Sequence, residues 1–242
     1  TFMAAQGLAH PLLLSSVMNM DTMNIGGTEV QTTYVFFTWC GMIFLLLLGL
    51  FVKSRISLIP GKTQSLFETI IGGLENFIVD SLGEKGRRYV PLLIGIFLYI
   101  FSMNMLGLVP GFDAPTANLN TTVSVALFVF IYYNYLGIKT WGFHYIGHFT
   151  GPSKALMPLM FPIEIISHLA RPLSMSLRLF GNIFGEEMTL LIFFSFGASI
   201  YIGALLGTVP LYFLFLLGKT LQAFILFVLS LIYIKGAIEH AH

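Results

Sequence analysis

Ionisable and polar side chains occur inside two long apolar stretches near the C-terminus, where their chemistry would be the binding, release or steering of ions. They are Glu164, His168, Arg171, Arg178, Asn182, Glu186 and Glu187 in the first stretch, and Lys219 and Gln222 in the second. An ionised side chain at the centre of a membrane span costs about 2.5–3.5 kcal/mol or more. We therefore treat each of these residues as a candidate for function.

The spacing of these residues places most of them on one face of a helix that turns about 100° per residue. Measured from Arg178, Asn182 falls at about 40° and Glu186 at about 80°. The upstream polar residues fall in the same stripe: Glu164, His168 and Arg171. Glu187 lies at about 180°, on the opposite face. One helix would therefore present a cation to one neighbour and a carboxylate to another.

Purely structural interpretations of the same residues stay open. Arg178 could form an ion pair with Glu186 or another carboxylate, although Leu177 and Leu179 place it inside an apolar run. Arg171 could lie at the membrane interface, where a guanidinium reaches water. Two residues one helical turn apart could bind each other: Glu164 and His168. Two amides could do no more than join neighbouring helices: Asn182 and Gln222.

The composition favours a membrane protein. Of the 242 residues, 56% are hydrophobic and only 10% are charged, whereas an ordinary soluble domain carries about 25% charged residues. The formal net charge of +1 offers no basic patch for a nucleic acid. The single cysteine, Cys40, allows neither an intrachain disulfide nor a cysteine metal site. No cofactor is indicated.

The hydrophobic pattern predicts an all-α integral membrane fold with about five membrane-embedded helices and one amphipathic surface helix. The expected segments are a loop-like external segment 1–33, a first span 34–52, an amphipathic helix 64–83, a helical hairpin 90–138 and a long helical hairpin 156–238. The last pair should run over roughly 156–196 and 208–238, with Gly197, Gly203, Gly207 and Pro210 marking the break. At about 1.5 Å per residue these helices are too long for an upright span, so we expect them to be strongly tilted.

The basic residues predict the orientation of the chain. With five crossings, ten lysines and arginines fall on one side, whereas the loops 1–33, 110–120 and 197–209 contain none. The N-terminus should therefore lie outside and the C-terminus in the cytoplasm. We expect the location to be a bacterial inner membrane.

Two motifs in the C-terminal stretches resemble those of subunit a of the rotary ATP synthases. The first runs from Arg171 to Asn182 with the sequence RPLSMSLRLFGN, and the second is Leu221 to Phe224 with the sequence LQAF. The order of the helical segments is also similar to that of the family, so the resemblance covers essentially the whole chain.

The resemblance implies an ion-channel subunit that is not itself an enzyme. In that family, subunit a lies beside a ring of c subunits, each of which carries a membrane carboxylate. Two offset half-channels pass protons to and from those carboxylates, so that ion flow turns the ring and drives ATP synthesis in the catalytic head. Peripheral-stalk b subunits and the lipid bilayer are the other implied partners.

The same resemblance implies roles for individual residues. Arg178 occupies the position of the family's essential arginine, which faces the c-ring. Three residues match positions that line the outer half-channel or lie beside the arginine: Asn182, Glu187 and Gln222. Glu187 would be the titrating entry group. Phe215 stands where some members have a histidine that partners this glutamate, so Lys219 could alter the site instead. Four further residues are weaker candidates for the ion path: Glu186, Lys219, Glu164 and His168.

Two other classes of protein are weighed against this interpretation. His144 and His148 have the spacing of a zinc helix, but the general-base glutamate of an intramembrane metalloprotease is missing between them. A secondary transporter also combines broken helices with charges at the membrane midplane, but such folds usually contain internal repeats. No internal repeat is evident in this sequence.

Overall fold

The computed structural model describes residues 23–25, 28–30, 32–57, 60–109, 112, 114–142, 145, 157–197 and 201–238. Within these ranges the chain is helical except for short turns and a small hairpin. The strands of this hairpin, β1 (Met23–Ile25) and β2 (Thr28–Val30), pair antiparallel. The sequence predicted a loop-like segment before the first span. Part of that segment is instead a pair of short strands.

Four α-helices and two short 3-10 helices form the first part of the fold. The α-helices are α1 (Thr32–Ser54), α2 (Lys62–Leu82), α3 (Val90–Leu106) and α4 (Leu119–Trp141). The 3-10 helices, Glu84–Tyr89 and Pro115–Ala117, precede α3 and α4 respectively. Proline in the first turn suits the start of α3, because the backbone N–H that it lacks has no partner inside the helix at that position.

Two long helices, α5 (Met157–Gly197) and α6 (Tyr201–Ile238), complete the fold. The 41 residues of α5 include Pro162 and Pro172. The predicted break between these two helices was too wide. The second helix was expected to begin near residue 208, whereas α6 begins at Tyr201 and continues through Pro210. Glycine and proline are tolerated in membrane helices, where losing the helical hydrogen bonds would cost more than these residues do.

The fold class is that of an all-α integral membrane protein, as predicted. Within the described ranges, four segments are long and apolar enough to cross a membrane: Tyr34–Ser54, Glu84–Leu106, Leu119–Trp141 and Pro210–Ile238. The sequence predicted about five. Helix α5 is not among the four because charged and polar side chains interrupt its apolar sequence. Its tilt in a bilayer stays a prediction.

Helices α3 to α6 pack around one shared core. Its fully buried side chains include Leu93 and Ile100 of α3, Val129 and Tyr133 of α4, Leu179 and Ile183 of α5, and Phe227 and Leu231 of α6. Helix α1 packs on α3 at the edge, and most of its apolar side chains are exposed. Such exposed apolar surface is what lipid covers in a membrane protein.

The amphipathic helix α2 docks on this core through its C-terminal half. Ile78 is fully buried, and the Phe77 ring lies 6.0 Å from that of Phe224 on α6. Arg87 of the following 3-10 helix pairs with Glu84 of the same helix and with Glu75 of α2, so the second pair joins the two elements. Both pairs are exposed, so they fix the turn more than they stabilise the fold.

Candidate ion-translocation site

Two polar bridges join α5 to α6 one helical turn apart. In the first, Asn182 Nδ2 donates a hydrogen bond to Gln222 Oε1 over 2.7 Å. In the second, Lys219 Nζ lies 3.3 Å from Glu186 Oε2. The two helices run in opposite directions, so the step from Asn182 to Glu186 matches the step from Gln222 back to Lys219. Four of the predicted site residues are thereby brought together in one row.

The Glu186–Lys219 pair is the most deeply buried ion pair that the structure describes. The side chain of Lys219 is 2% exposed and that of Glu186 is 16% exposed. The two ions are in contact, but Glu186 Oε2 has no hydrogen bond of good geometry within the described residues. The pair therefore holds its charges mainly by Coulomb attraction in a medium of low dielectric constant.

Small and apolar neighbours on α6 shape this pocket. A Cβ atom on Gly218 would lie 2.7 Å from Glu186 Oε1, so the glycine provides the space that the carboxylate occupies. Phe215, at the position where some family members have a histidine, is buried. A lysine one turn further along α6 is thus the basic partner of a carboxylate on α5.

The backbone of Lys219 is also hydrogen-bonded to α3. Its carbonyl accepts a hydrogen bond from Asn104 Nδ2 of α3 over 3.2 Å, and Thr116 Oγ1 donates to Asn104 Oδ1 over 2.8 Å. All three residues are almost fully buried. Asn104 and Thr116 were not among the predicted site residues. The signal was present, because Asn104 is a lone amide inside an apolar span.

Arg178 lies one turn before Asn182 on α5 and has a different environment. Its side chain is exposed, whereas its helical neighbours Met175 and Leu179 are buried in the core. Among the residues that the structure describes, no carboxylate lies within ion-pair distance of it. The structural interpretation that paired Arg178 with Glu186 is therefore wrong, because Glu186 is turned towards Lys219.

The face of α5 that carries Arg178 leaves room for a close neighbour. Gly181 and Gly185 are exposed, and a Cβ atom on either would meet nothing within 4 Å. Exposed apolar side chains surround the arginine on the same helix: Leu173, Leu177 and Phe184. This combination of small, apolar and cationic residues is unusual for a surface that faces lipid alone.

A second polar cluster joins the first half of α5 to α4. His168 Nε2 lies 2.8 Å from Asn134 Oδ1 and 3.3 Å from the Tyr133 hydroxyl. The Tyr145 hydroxyl donates to the same Asn134 oxygen over 3.2 Å. Burial raises the pKa of the Tyr145 phenol, with Arg171 opposing that rise, so the phenol stays a hydrogen-bond donor at neutral pH.

Glu164 and Arg171 lie near this cluster and have partners of their own. Arg171 lies 3.8 Å from Glu164 Oε1, and its guanidinium also stacks over the Tyr233 ring at 5.6 Å. The packing of α5 on α4 turns the imidazole of His168 inward, towards Asn134 and Tyr133. A contact between Glu164 and His168 stays a prediction.

Glu187 is half-buried on α5, next to Glu186 along the chain. Glu186 forms the ion pair with Lys219, so the two adjacent carboxylates have different environments. In the described part of the chain, no group of three or more His, Cys, Asp or Glu residues could hold a metal ion. His144 and His148, the two histidines of the metalloprotease hypothesis, lie outside the described residues.

Comparison with known proteins relates this arrangement to one family. The ATP synthase A chain family matches residues 35–235. A protein named ATP synthase subunit a from Nitratidesulfovibrio vulgaris is 58% identical over 98% of this chain and 100% of its own length. Proteins of the same name from Oleidesulfovibrio alaskensis and Geobacter sulfurreducens are 56% and 41% identical, over 98% and 97% of this chain respectively and the whole length of each relative.

The fold, with a row of polar residues between α5 and α6, defines the class as an all-α integral membrane protein. With the family matched over most of its length, the chain belongs to the ATP synthase A chain family. Membership supports a role as a proton-translocating membrane subunit of an ATP synthase, as the sequence motifs had suggested.

Proposed function

We propose that this chain is the stator subunit that passes protons to and from the carboxylates of a c-subunit ring. Two half-channels, offset from each other, would reach the ring from opposite sides of the membrane. Proton flow would turn the ring and drive ATP synthesis in the catalytic head. Peripheral-stalk b subunits would hold this chain still while the ring turns. The chain itself would be non-catalytic.

The observation that carries this proposal is the isolation of Arg178. Four other charged residues are paired within the chain, because Glu186 contacts Lys219 and Glu164 contacts Arg171. Arg178 is exposed and has no carboxylate within ion-pair distance in the described ranges. An uncompensated arginine in a membrane is costly, so it calls for an anion from outside the chain. A ring carboxylate that passes in front of Gly181 and Gly185 would supply one.

The chemistry of arginine fits this role. A guanidinium does not lose its proton at any usable pH, so Arg178 cannot relay protons between the half-channels. Its fixed charge favours the ionised form of a nearby carboxylate and promotes release of the proton. A lysine would serve less well, because a buried ammonium can deprotonate.

The remaining polar residues divide between the two proposed half-channels. Asn182, Gln222 and Glu187 would belong to the outer one, with Glu187 as the entry group. Glu186 and Lys219 lie beside them as a bound pair rather than as free titrating groups. His168 and Glu164, in the first half of α5, would belong to the cytoplasmic one. No histidine relay operates at Phe215.

The proposed orientation follows from the distribution of basic residues. The N-terminus would be outside and the C-terminus in the cytoplasm of a bacterium, with the chain in the inner membrane. A secondary transporter with a charged site at the midplane is the alternative. It would purify and transport alone, whereas the proposed subunit would co-purify with the ring and the peripheral stalk.

The test is substitution of Arg178 in the complete complex. We expect Arg178→Ala to assemble but to lose ATP-driven proton pumping and ATP synthesis in inverted vesicles, and Arg178→Lys to lose most of both. Arg55→Ala, at an exposed position just after the end of α1, is the matched control and should keep both activities. Near-normal pumping by an assembled Arg178→Ala complex would reject the proposed role.

A further inference from the structure

We propose that Asn104 is a positioning residue of the ion path, acting through the backbone of Lys219 to hold the lysine ammonium against Glu186. This inference rests on the function proposed above. It concerns α3, a helix that carries none of the residues assigned to the path.

The contact forms a clamp that links distant parts of the chain. Asn104 and Lys219 are 115 positions apart, and Asn104 Nδ2 donates to the Lys219 carbonyl over 3.2 Å. On its other side, Asn104 Oδ1 accepts a hydrogen bond from Thr116 Oγ1 over 2.8 Å. Asn104 is 0% exposed and Thr116 is 1% exposed, so water cannot replace either partner.

The clamp has one preferred orientation. An asparagine amide has a donor end and an acceptor end, and here each end is bonded to a different element. Rotating the amide would turn Oδ1 towards the Lys219 carbonyl, so that two acceptors face each other and the hydrogen bond to α6 is lost. Because the acceptor on α6 is a main-chain carbonyl, the bond fixes the height and the rotation of that helix rather than one flexible side chain.

Lys219 joins this clamp to the ion path. Its carbonyl is held by α3, and its ammonium lies 3.3 Å from Glu186 on α5. A shift of α6 by one residue would rotate the lysine by about 100° and separate the two charges. Asn104 touches neither charged group, so it acts only by deciding where α6 presents Lys219.

The consequence for the path is electrostatic. With Lys219 and Glu186 in contact, their charges cancel beside the Asn182–Gln222 hydrogen bond. Arg178 is then the uncompensated cation next to that bond. If the pair separated, Lys219 would be a second cation that attracts the ring carboxylate. Glu186 would be a free carboxylate that binds protons from the path. The clamp thus keeps the charge of the site concentrated at Arg178.

The experiment compares Thr116→Val, which removes the hydroxyl at nearly constant volume, with Thr116→Ser, which keeps it. Each is measured in the otherwise native complex and in an E186Q/K219M background. Loss of one buried hydrogen bond changes an equilibrium constant by about fivefold. We expect Thr116→Val to lower ATP-driven pumping about fivefold in the native background only, with Thr116→Ser near native.

Equal losses from Thr116→Val in both backgrounds would overturn the inference and leave a merely structural contact. If the E186Q/K219M background does not pump, labelling of Lys219 by a membrane-permeant amine reagent decides instead. Thr116→Val should then raise labelling about fivefold over Thr116→Ser, and unchanged labelling would overturn the inference. Arg178→Ala in the same vesicles is the separate test of the proposed function, because its failure to abolish pumping would reject that proposal itself.

Discussion

The ammonium of Lys219 and the carboxylate of Glu186 form a contact ion pair, 3.3 Å apart, inside the interface between α5 and α6. Arg178 lies two turns away on the same helix and is exposed. In the described part of the chain, no carboxylate lies within ion-pair distance of it, whereas Glu186 is paired with Lys219. A neutralised pair and an uncompensated arginine on the same helix are therefore two parts of one arrangement.

Removing one member of the Glu186–Lys219 pair should be worse than removing both. Lys219→Met leaves a buried carboxylate without its cation, and breaking such a pair costs about 3–5 kcal/mol. We expect a lower thermal stability of the purified complex and less of this chain in the membrane. The double variant E186Q/K219M should recover most of the loss. Lys62→Met, at the exposed start of α2, is the control, and a Lys219→Met complex as stable as that control would contradict the account.

Gly218→Ala tests the space that the glycine leaves for Glu186. Replacing glycine by alanine inside a helix normally stabilises it by about 0.5–1 kcal/mol. At Gly218 the new methyl group would push the carboxylate away from Lys219, so we expect no gain in thermal stability and weaker proton pumping. Gly236→Ala on the same helix has open space around it and should show the normal gain. Equal behaviour of the two variants would argue against the close approach.

The hydrogen bond between Asn182 and Gln222 can be measured by a double-mutant cycle. Asn182→Ala and Gln222→Ala each remove one partner, and each should destabilise the complex by about 0.5–1.5 kcal/mol. Because both side chains serve the same bond, the double variant should lose about 1 kcal/mol less than the sum. Thermal unfolding of the four complexes gives the coupling. Strict additivity would mean that the two amides do not interact.

Gly137→Ala should weaken the contact of α4 with the segment that carries Tyr145. A methyl group at Gly137 would overlap the Tyr145 ring, whose hydroxyl bonds to Asn134 beside His168. Overpacking of this kind costs about 1–3 kcal/mol. Gly95→Ala on α3 meets no atom within 4 Å and should be tolerated. Proteolysis of the purified complex would report the difference, and equal resistance of the two variants would contradict the overlap.

The sequence sufficed for the fold class and for the four apolar spans of the described residues because apolar run length is a local property. It did not suffice for α5, whose polar residues keep it from being among those spans. Gly203, Gly207 and Pro210 were expected to break the helix. Helix α6 continues through them because a membrane favours unbroken helical hydrogen bonds. Helical periodicity predicted one stripe for Arg178, Asn182 and Glu186, whereas the structure turns Asn182 and Glu186 towards α6 and leaves Arg178 exposed. Which carboxylate meets which cation did not follow from periodicity, because that depends on the register between α5 and α6.

Sequence spacing alone also could not reveal the clamp on Lys219. It joins residues that are 115 positions apart, and its acceptor is a backbone carbonyl that carries no sequence signal. The lone amide of Asn104 in an apolar span was the available hint. The partner of His168 was hidden for the same reason, because Tyr133 and Asn134 are on another helix.

The central claim is that the face of α5 around Arg178 contacts the rotor ring. The most direct measurement places a photo-crosslinking amino acid at Leu177, which is 49% exposed beside the arginine, in the complete complex. Trp39 on α1, 59% exposed, is the matched control site for the lipid-facing side. We expect Leu177 to crosslink to the small ring subunit, with an amount that falls when the ring is absent, and Trp39 not to do so. Crosslinking of Leu177 to lipid alone, in a complex that still pumps protons, would contradict the account.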